Sequence, residues 1–214
     1  MELSHYQELV HLIATPVFLI VYSLRLVYLL RSRFINDRSP DPKGEIGKGI
    51  WDAFITIVMP WKMDSTRRHW FYYLVFIGFH IGLAFNIALS YLVTYTPEIM
   101  TAPVRAAFSA VIFISLVAGI IRFVRRLYLP EMRIISTMDD YFALFIVLLY
   151  NIAGLVILQG SAWGSYAYFT IVFIFLIYEP FSKINHYFYY PFARYFYGID
   201  TARKGTLKSE ESHA

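Results

Sequence analysis

Cysteine is absent from all 214 residues. That absence excludes disulfides, thiolate-held metals and iron–sulfur clusters within this chain, so any iron–sulfur centre working with it sits on a partner. Charge is scarce as well: Asp, Glu, Lys and Arg make up 16% of the residues, where a typical soluble domain has roughly a quarter. Residues 1–8 are short and acidic and lack the basic n-region and small-residue cleavage site of a secretory leader, so no cleaved signal is expected. No nucleic-acid motif accompanies the net charge of +4, which is therefore assigned to topology and lipid headgroups.

What the chain does have is apolar length. Hydrophobic residues make up 58% of it and aromatics 19%, with a mean hydropathy of +0.51. An integral membrane protein follows. Its length suits several spans but leaves no room for a separate soluble domain, so residues 1–214 are expected to form a single membrane domain. Five apolar segments approach the ~20-residue spanning length, at about 9–30, 70–92, 104–121, 141–158 and 166–190. The fold class is an all-α membrane protein with five transmembrane helices in one bundle. The last of them is expected to run unbroken to Tyr190 and to stop at Pro191.

The polar stretch between spans one and two opens with the turn-forming Ser39-Pro40-Asp41-Pro42. Within it, Ile46, Ile50, Phe54, Ile57 and Val58 recur at helical spacing beside Lys48 and Asp52. An amphipathic helix over about 46–58 is predicted, lying on the membrane surface or packed on a partner subunit. Farther on, Ser136 or Thr137 is placed to cap the fourth span, with Asp139 and Asp140 favourable at its positive end.

Orientation follows from the cations. Eight Lys/Arg lie between spans one and two, four between spans three and four, and five from Lys183 onward, whereas the opposite loops hold only Arg105. The positive-inside rule puts the N-terminus outside and the C-terminus in the cytoplasm, for a multi-pass protein of the cell's inner (cytoplasmic) membrane.

Two histidines then matter most, because an imidazole in a hydrocarbon-length helix is costly unless a partner offsets the cost. His80 lies in Phe79-His80-Ile81-Gly82 of the second span, and His186 in Lys183-Ile184-Asn185-His186 near the end of the fifth. His80 is twelve residues past Arg68, about 18 Å along a helix, and His186 eight residues before Arg194, about 12 Å along. The two depths fall in the inner half of the bilayer. There the pair can serve as axial ligands of one haem b, or each can simply hydrogen-bond a neighbouring helix. His69, at the span boundary beside Trp70, is the substitute ligand, with headgroup contact as its other role. Arg126 and Lys183 are chosen as possible haem propionate contacts from a basic set that also holds Arg122, Arg125 and Arg133. His11, near the outer end of span one, is a possible quinone or outer-side contact and the only place for a second haem. His5 and His213 carry no assignment, and no residue is assigned a catalytic role.

Three blocks of residues carry a family likeness. They are Phe79-His80-Ile81-Gly82; Arg125-Arg126 with Pro130-Glu131-Met132-Arg133 and Asp139-Asp140-Tyr141-Phe142; and Pro180-Phe181-Ser182-Lys183-Ile184-Asn185-His186 with Pro191 and Arg194-Tyr195. Together they resemble the membrane cytochrome b (gamma) subunits of respiratory nitrate reductase and their relatives in heterodisulfide reductase and dissimilatory sulfite reductase complexes. The resemblance spans residues of about 70–197. It implies an inner haem held by His80 and His186, a membrane quinone as substrate, and a cytoplasmic iron–sulfur subunit as electron partner. The family's outer-haem ligand places fall on Ser90 and about Tyr168, so the resemblance implies one haem here. Two non-redox classes remain open: a small channel or carrier lined by His80, Asn86 and Asn151, and a structural anchor for a cytoplasmic complex.

Overall fold

The computed structural model describes residues 2–31, 44–59 and 64–204. The turn at Ser39-Pro40-Asp41-Pro42 and the tail with His213 lie outside the described residues, as do the side chains of Ile57 and Val58. Among the described residues there are no strands. The α-helices in chain order are α1 (Leu3–Arg31), α2 (Ile46–Val58), α3 (Asp64–Arg68), α4 (Trp70–Tyr95), α5 (Ala102–Tyr128), α6 (Pro130–Ile134), α7 (Met138–Ile157), α8 (Ala162–Tyr178) and α9 (His186–Lys204).

Five of these segments are long and apolar enough to cross a membrane: Leu3–Arg31, Trp70–Tyr95, Ala102–Tyr128, Met138–Ile157 and Ala162–Phe181. Their outer surfaces carry large bare side chains, among them Leu12 at 71% exposure, Leu24 at 65% and Phe113 at 56%. Such surfaces are stable in hydrocarbon and costly in water.

The chain divides into two compact units, Met1–Leu24 with Phe71–Ile184, and Arg25–Trp70 with Asn185–Ala214. In the first, α7 packs on both α8 and α5, and the core gathers Leu89, Ile112, Val147, Tyr150, Tyr168 and Phe169. Small residues set the spacing of its helices. A Cβ on Gly82 of α4 would run into the Ser115 side chain and the Val111 carbonyl of α5. The two backbones therefore meet at van der Waals distance there, which is the main source of helix association where no hydrophobic drive exists.

In the second unit, α2 packs along α9. Gly49 and Gly198 lie backbone to backbone, a Cβ on Gly198 would sit 2.8 Å from the Ile50 nitrogen, and the Gly44 N–H donates to the Ala202 carbonyl at 3.1 Å. Ala202 fills the seam, its Cβ 2.9 Å from where a Cβ on Gly49 would stand. The amphipathic helix expected at 46–58 is thus α2, and its small-residue stripe is used against α9.

The fifth apolar segment departs from the sequence reading. It does not run unbroken to Tyr190: α8 ends at Tyr178, and two short 3-10 turns, Glu179–Phe181 and Lys183–Asn185, precede α9. Pro180 has no N–H for the helical ladder, and Ser182 is extended, its Oγ donating to the Glu179 carbonyl at 2.9 Å and accepting the Ile184 N–H at 3.1 Å. Nor does Pro191 stop the helix. It lies inside α9, close enough to the start that one early carbonyl, that of Tyr187, forgoes its partner while the rest of the ladder continues.

Candidate functional site

His80 is half-buried on α4. Its Nδ1 lies 2.8 Å from the Phe76 carbonyl one turn earlier. A carbonyl only accepts, so Nδ1 carries a proton. Phe76 lies against the ring with centroids 4.2 Å apart, and Phe79 stands edge-on at 5.4 Å. An imidazole held through Nδ1–H to a backbone carbonyl is the form that ligates metals through Nε2.

The other histidines expected to share this task are placed differently. His186 is exposed and opens α9 in the second unit, so it does not sit inside a spanning helix as the sequence reading had it. His69 is exposed between α3 and α4 and also belongs to the second unit. No group of three or more His, Asp or Glu able to hold a metal ion occurs among the described residues.

The two cations chosen as propionate contacts converge on one carboxylate. Asp140 Oδ2 takes Lys183 Nζ at 2.5 Å, and Asp140 Oδ1 takes Arg126 Nη1 at 3.2 Å. Asp140 Oδ2 also accepts the Thr137 N–H at 2.8 Å and the Thr137 hydroxyl at 2.9 Å. Thr137, not Ser136, is the N-cap of α7. Ser136 instead accepts from Arg126 at 2.8 Å. Asp139 ties down the break after α8, accepting the Tyr178 hydroxyl at 2.5 Å and the Lys183 backbone N–H at 2.9 Å. Helix start and chain break are thus locked by two adjacent carboxylates.

Arg122 packs on the residue beside His80. Its guanidinium lies 4.7 Å from the centre of the Phe79 ring, and Phe79 is the residue next to His80. Arg125, the next basic residue, lies over Tyr72 at 3.7 Å.

A polar cluster that sequence reasoning saw only in part occupies the middle of the first unit. Asn86 Nδ2 donates to the Tyr150 carbonyl at 2.9 Å and to Asn151 Oδ1 at 3.3 Å. Asn151 Nδ2 donates to Ser115 Oγ at 3.2 Å, which itself donates to the Phe79 carbonyl at 2.8 Å. The hydroxyls of Tyr150 and Tyr168 both donate to the Asn86 carbonyl, at 2.9 and 2.8 Å. Asn86, Asn151, Ser115 and Tyr168 are fully buried. Asn86 and Asn151 are therefore interhelical bonding partners, satisfied by protein. A signal for this was present: an amide in a hydrocarbon-length helix seeks a partner on another helix. Ser115, Tyr150 and Tyr168 were missed because Ser and Tyr are too common in such helices to stand out.

Ser90 and Tyr168, where the resembled family places outer-haem ligands, belong to this interior. Tyr168 bonds Asn86, and the Ser90 hydroxyl donates to the Ile87 carbonyl at 2.8 Å.

His11 lies in the first unit near the end of α4 and is only 2% exposed. Its Nε2 approaches the Ser90 carbonyl at 3.3 Å, so Nε2 carries the proton. The ring stacks on Tyr91 with centroids 4.4 Å apart, and Phe169 stands edge-on at 5.9 Å. Its Nδ1 is buried with no hydrogen-bond partner. Beside it a cleft of about 460 Å³ is lined by residues including His5, Glu8, Leu12, Thr15, Tyr91 and Tyr95.

Comparison with protein-family models, with curated proteins and with solved structures finds no match for this chain.

Proposed function

We propose that the chain is the b-type cytochrome membrane subunit of a respiratory redox complex. It passes electrons between a membrane quinone and a cytoplasmic iron–sulfur partner through one haem with His80 and His186 as axial ligands. The observation that carries this reading is the setting of His80 in a spanning helix, its Nδ1 2.8 Å from the Phe76 carbonyl and its ring between Phe76 and Phe79. The likeness of the three residue blocks to membrane cytochrome b subunits supplies the rest.

The residues present fit such a group in part. His80 offers the neutral ligand, and Phe76 and Phe79 offer apolar walls beside it. Gly82 is taken up by packing on α5. Arg126 and Lys183 meet on the single carboxylate of Asp140 and keep a net positive charge for the propionates, and Arg122 lies on the ring of Phe79 beside His80. When bound, a haem supplies a one-electron centre whose potential is set by its ligands and surroundings. The chain's own part is to fix the imidazole, exclude water and supply a compensating cation. The buried bonding of Ser90 and Tyr168 supports a single haem. The N-terminus lies outside and the C-terminus in the cytoplasm of the inner membrane, as the distribution of Lys and Arg supports.

The test is the reduced-minus-oxidised visible spectrum of the purified chain. A b-type α-band is expected, lost in His80→Ala and in His186→Ala and kept in His69→Ala. A colourless protein, or a band that survives both substitutions, overturns the reading, and a pyridine haemochrome ratio near two overturns the single haem.

A further inference from the structure

We infer that the cleft beside His11 is a binding site for the hydroquinone headgroup of a lipid-soluble quinol, with a quinol O–H donating to His11 Nδ1. The choice of a quinol among hydroxyl-bearing ligands rests on the electron-transfer reading above. The site itself rests on geometry.

A neutral acceptor nitrogen buried without a partner costs free energy that a bound donor restores. His11 Nδ1 is such an atom, and its tautomer is fixed because Nε2–H faces the Ser90 carbonyl. The sign of the hydrogen bond then selects the ligand. A quinone has only acceptor oxygens, whereas its reduced form has O–H donors, so Nδ1 distinguishes the two oxidation states. His11 itself is one of the residues lining the cleft, and its Nδ1 is the buried atom there.

The cleft matches a ring in size and character. Its volume of about 460 Å³ falls within the roughly 300–1,000 Å³ usual for small-molecule sites. Tyr91 and Tyr95 give it aromatic walls, with ring centroids 6.4 Å apart and nearly parallel. Leu12 and Leu19, at 71% and 56% exposure on a spanning helix, form its rim, so entry is from the hydrocarbon, where quinols dissolve. Glu8 and His5 line it too and supply polar groups near the start of α1. Thr15 Oγ1 and the Tyr91 hydroxyl, 3.4 Å apart, offer a second hydrogen-bonding point for the other quinol oxygen.

The experiment compares menadiol with menadione, anaerobically, on the full chain in lipid nanodiscs, by equilibrium dialysis. The wild type is expected to bind menadiol about tenfold more tightly than menadione, the yield of one buried hydrogen bond. His11→Phe keeps a ring on Tyr91 but has no acceptor, so the preference falls to within about twofold while menadione binding hardly changes. His11→Asn, whose amide oxygen can stand in for Nδ1, restores part of the preference. Leu12→Trp, at the exposed rim, blocks both ligands without touching the core. Equal binding of the two forms by the wild type, a preference that persists in His11→Phe, or binding unaffected by Leu12→Trp overturns the inference. Equal binding with loss in Leu12→Trp marks a plain lipid crevice. The haem spectrum taken on the same samples separates the two readings: menadiol preference without an α-band leaves the cleft standing and removes the cytochrome, and the reverse result does the opposite.

Discussion

Asn86 and Gly154 are coupled by shape, and the coupling is measurable. Asn86→Ala removes three side-chain hydrogen bonds: to the Tyr150 carbonyl, to Asn151 Oδ1 and from the Tyr168 hydroxyl. At about 0.6 kcal/mol for each interhelical bond in a membrane, that is about 2 kcal/mol. Gly154 faces the same amide, for a Cβ built on it would lie 2.9 Å from both Asn86 Cγ and Nδ2. Gly154→Ala alone overpacks this contact and costs about 1–3 kcal/mol. In the double substitution the new methyl enters the space that the amide vacates. The two losses then fall short of additive by at least about 1 kcal/mol. The assay is unfolding in mixed micelles by titration with sodium dodecyl sulfate, followed by circular dichroism, for wild type, both single variants and the double. Additivity within about 0.5 kcal/mol refutes the argument. So does an Asn86→Ala variant as stable as the wild type, since it would mean that the hydrogen bonds do not hold α4 to α7 and α8.

Further outcomes follow from other contacts. Gly198→Ala, whose Cβ would press on Ile50 and Gly49, is expected to separate α2 from α9 at a cost of about 1–3 kcal/mol; hydrogen exchange of the α2 amides should accelerate while α5 and α7 stay protected. Asp140→Asn loses its ion pairs to Arg126 and Lys183, whose side chains are 24% and 50% exposed, so the loss stays near about 1 kcal/mol and shrinks in high salt; a salt-independent loss in thermal unfolding speaks against the pairing. Ser115→Val removes the hydroxyl that bonds the Phe79 carbonyl and accepts from Asn151 and should lower stability by about 1 kcal/mol, with a shift of the α-band where a haem binds at His80; no change in either measurement counts against the Ser115 contact as the brace behind that histidine.

The helical part of the fold was legible because hydrocarbon imposes a single solution. A chain of this composition must satisfy its backbone internally, and segments of spanning length separated by Pro, Gly and charge leave little choice of helix number. The sequence-based segment ends at 70 and 158 lie beside the observed ends of α4 and α7, and 46–58 coincides with α2. The departures arise where a local rule met a tertiary one. Aromatic residues resume at 187–190 after the polar stretch 182–186, and the sequence reading carried the last helix through that stretch. The extended Ser182, fixed by Glu179 and Ile184, divides it, with Asp139 holding the next residue.

The candidate site was legible only as a set of residue types. A histidine in a hydrocarbon-length helix announces itself in sequence, and His80 and His11 both did. Which nitrogen holds the proton is decided by a carbonyl: that of Phe76 for one, that of Ser90, 79 positions away, for the other. The sequence likewise shows Arg126, Lys183 and Asp140 without showing that the two cations meet on the one carboxylate.

Composition and periodicity by themselves determined a helical chain with five segments suited to a membrane, because burial of backbone polar groups in hydrocarbon depends on nothing beyond local order. The tertiary structure alone decided that Asn86 bridges to α7 and α8, that α2 closes on α9 through Gly49 and Gly198, and that His11 Nδ1 is left without a donor beside a cleft. The physical reason is distance: each depends on atoms brought within about 3 Å from segments scores of residues apart, and no local pattern encodes such a meeting.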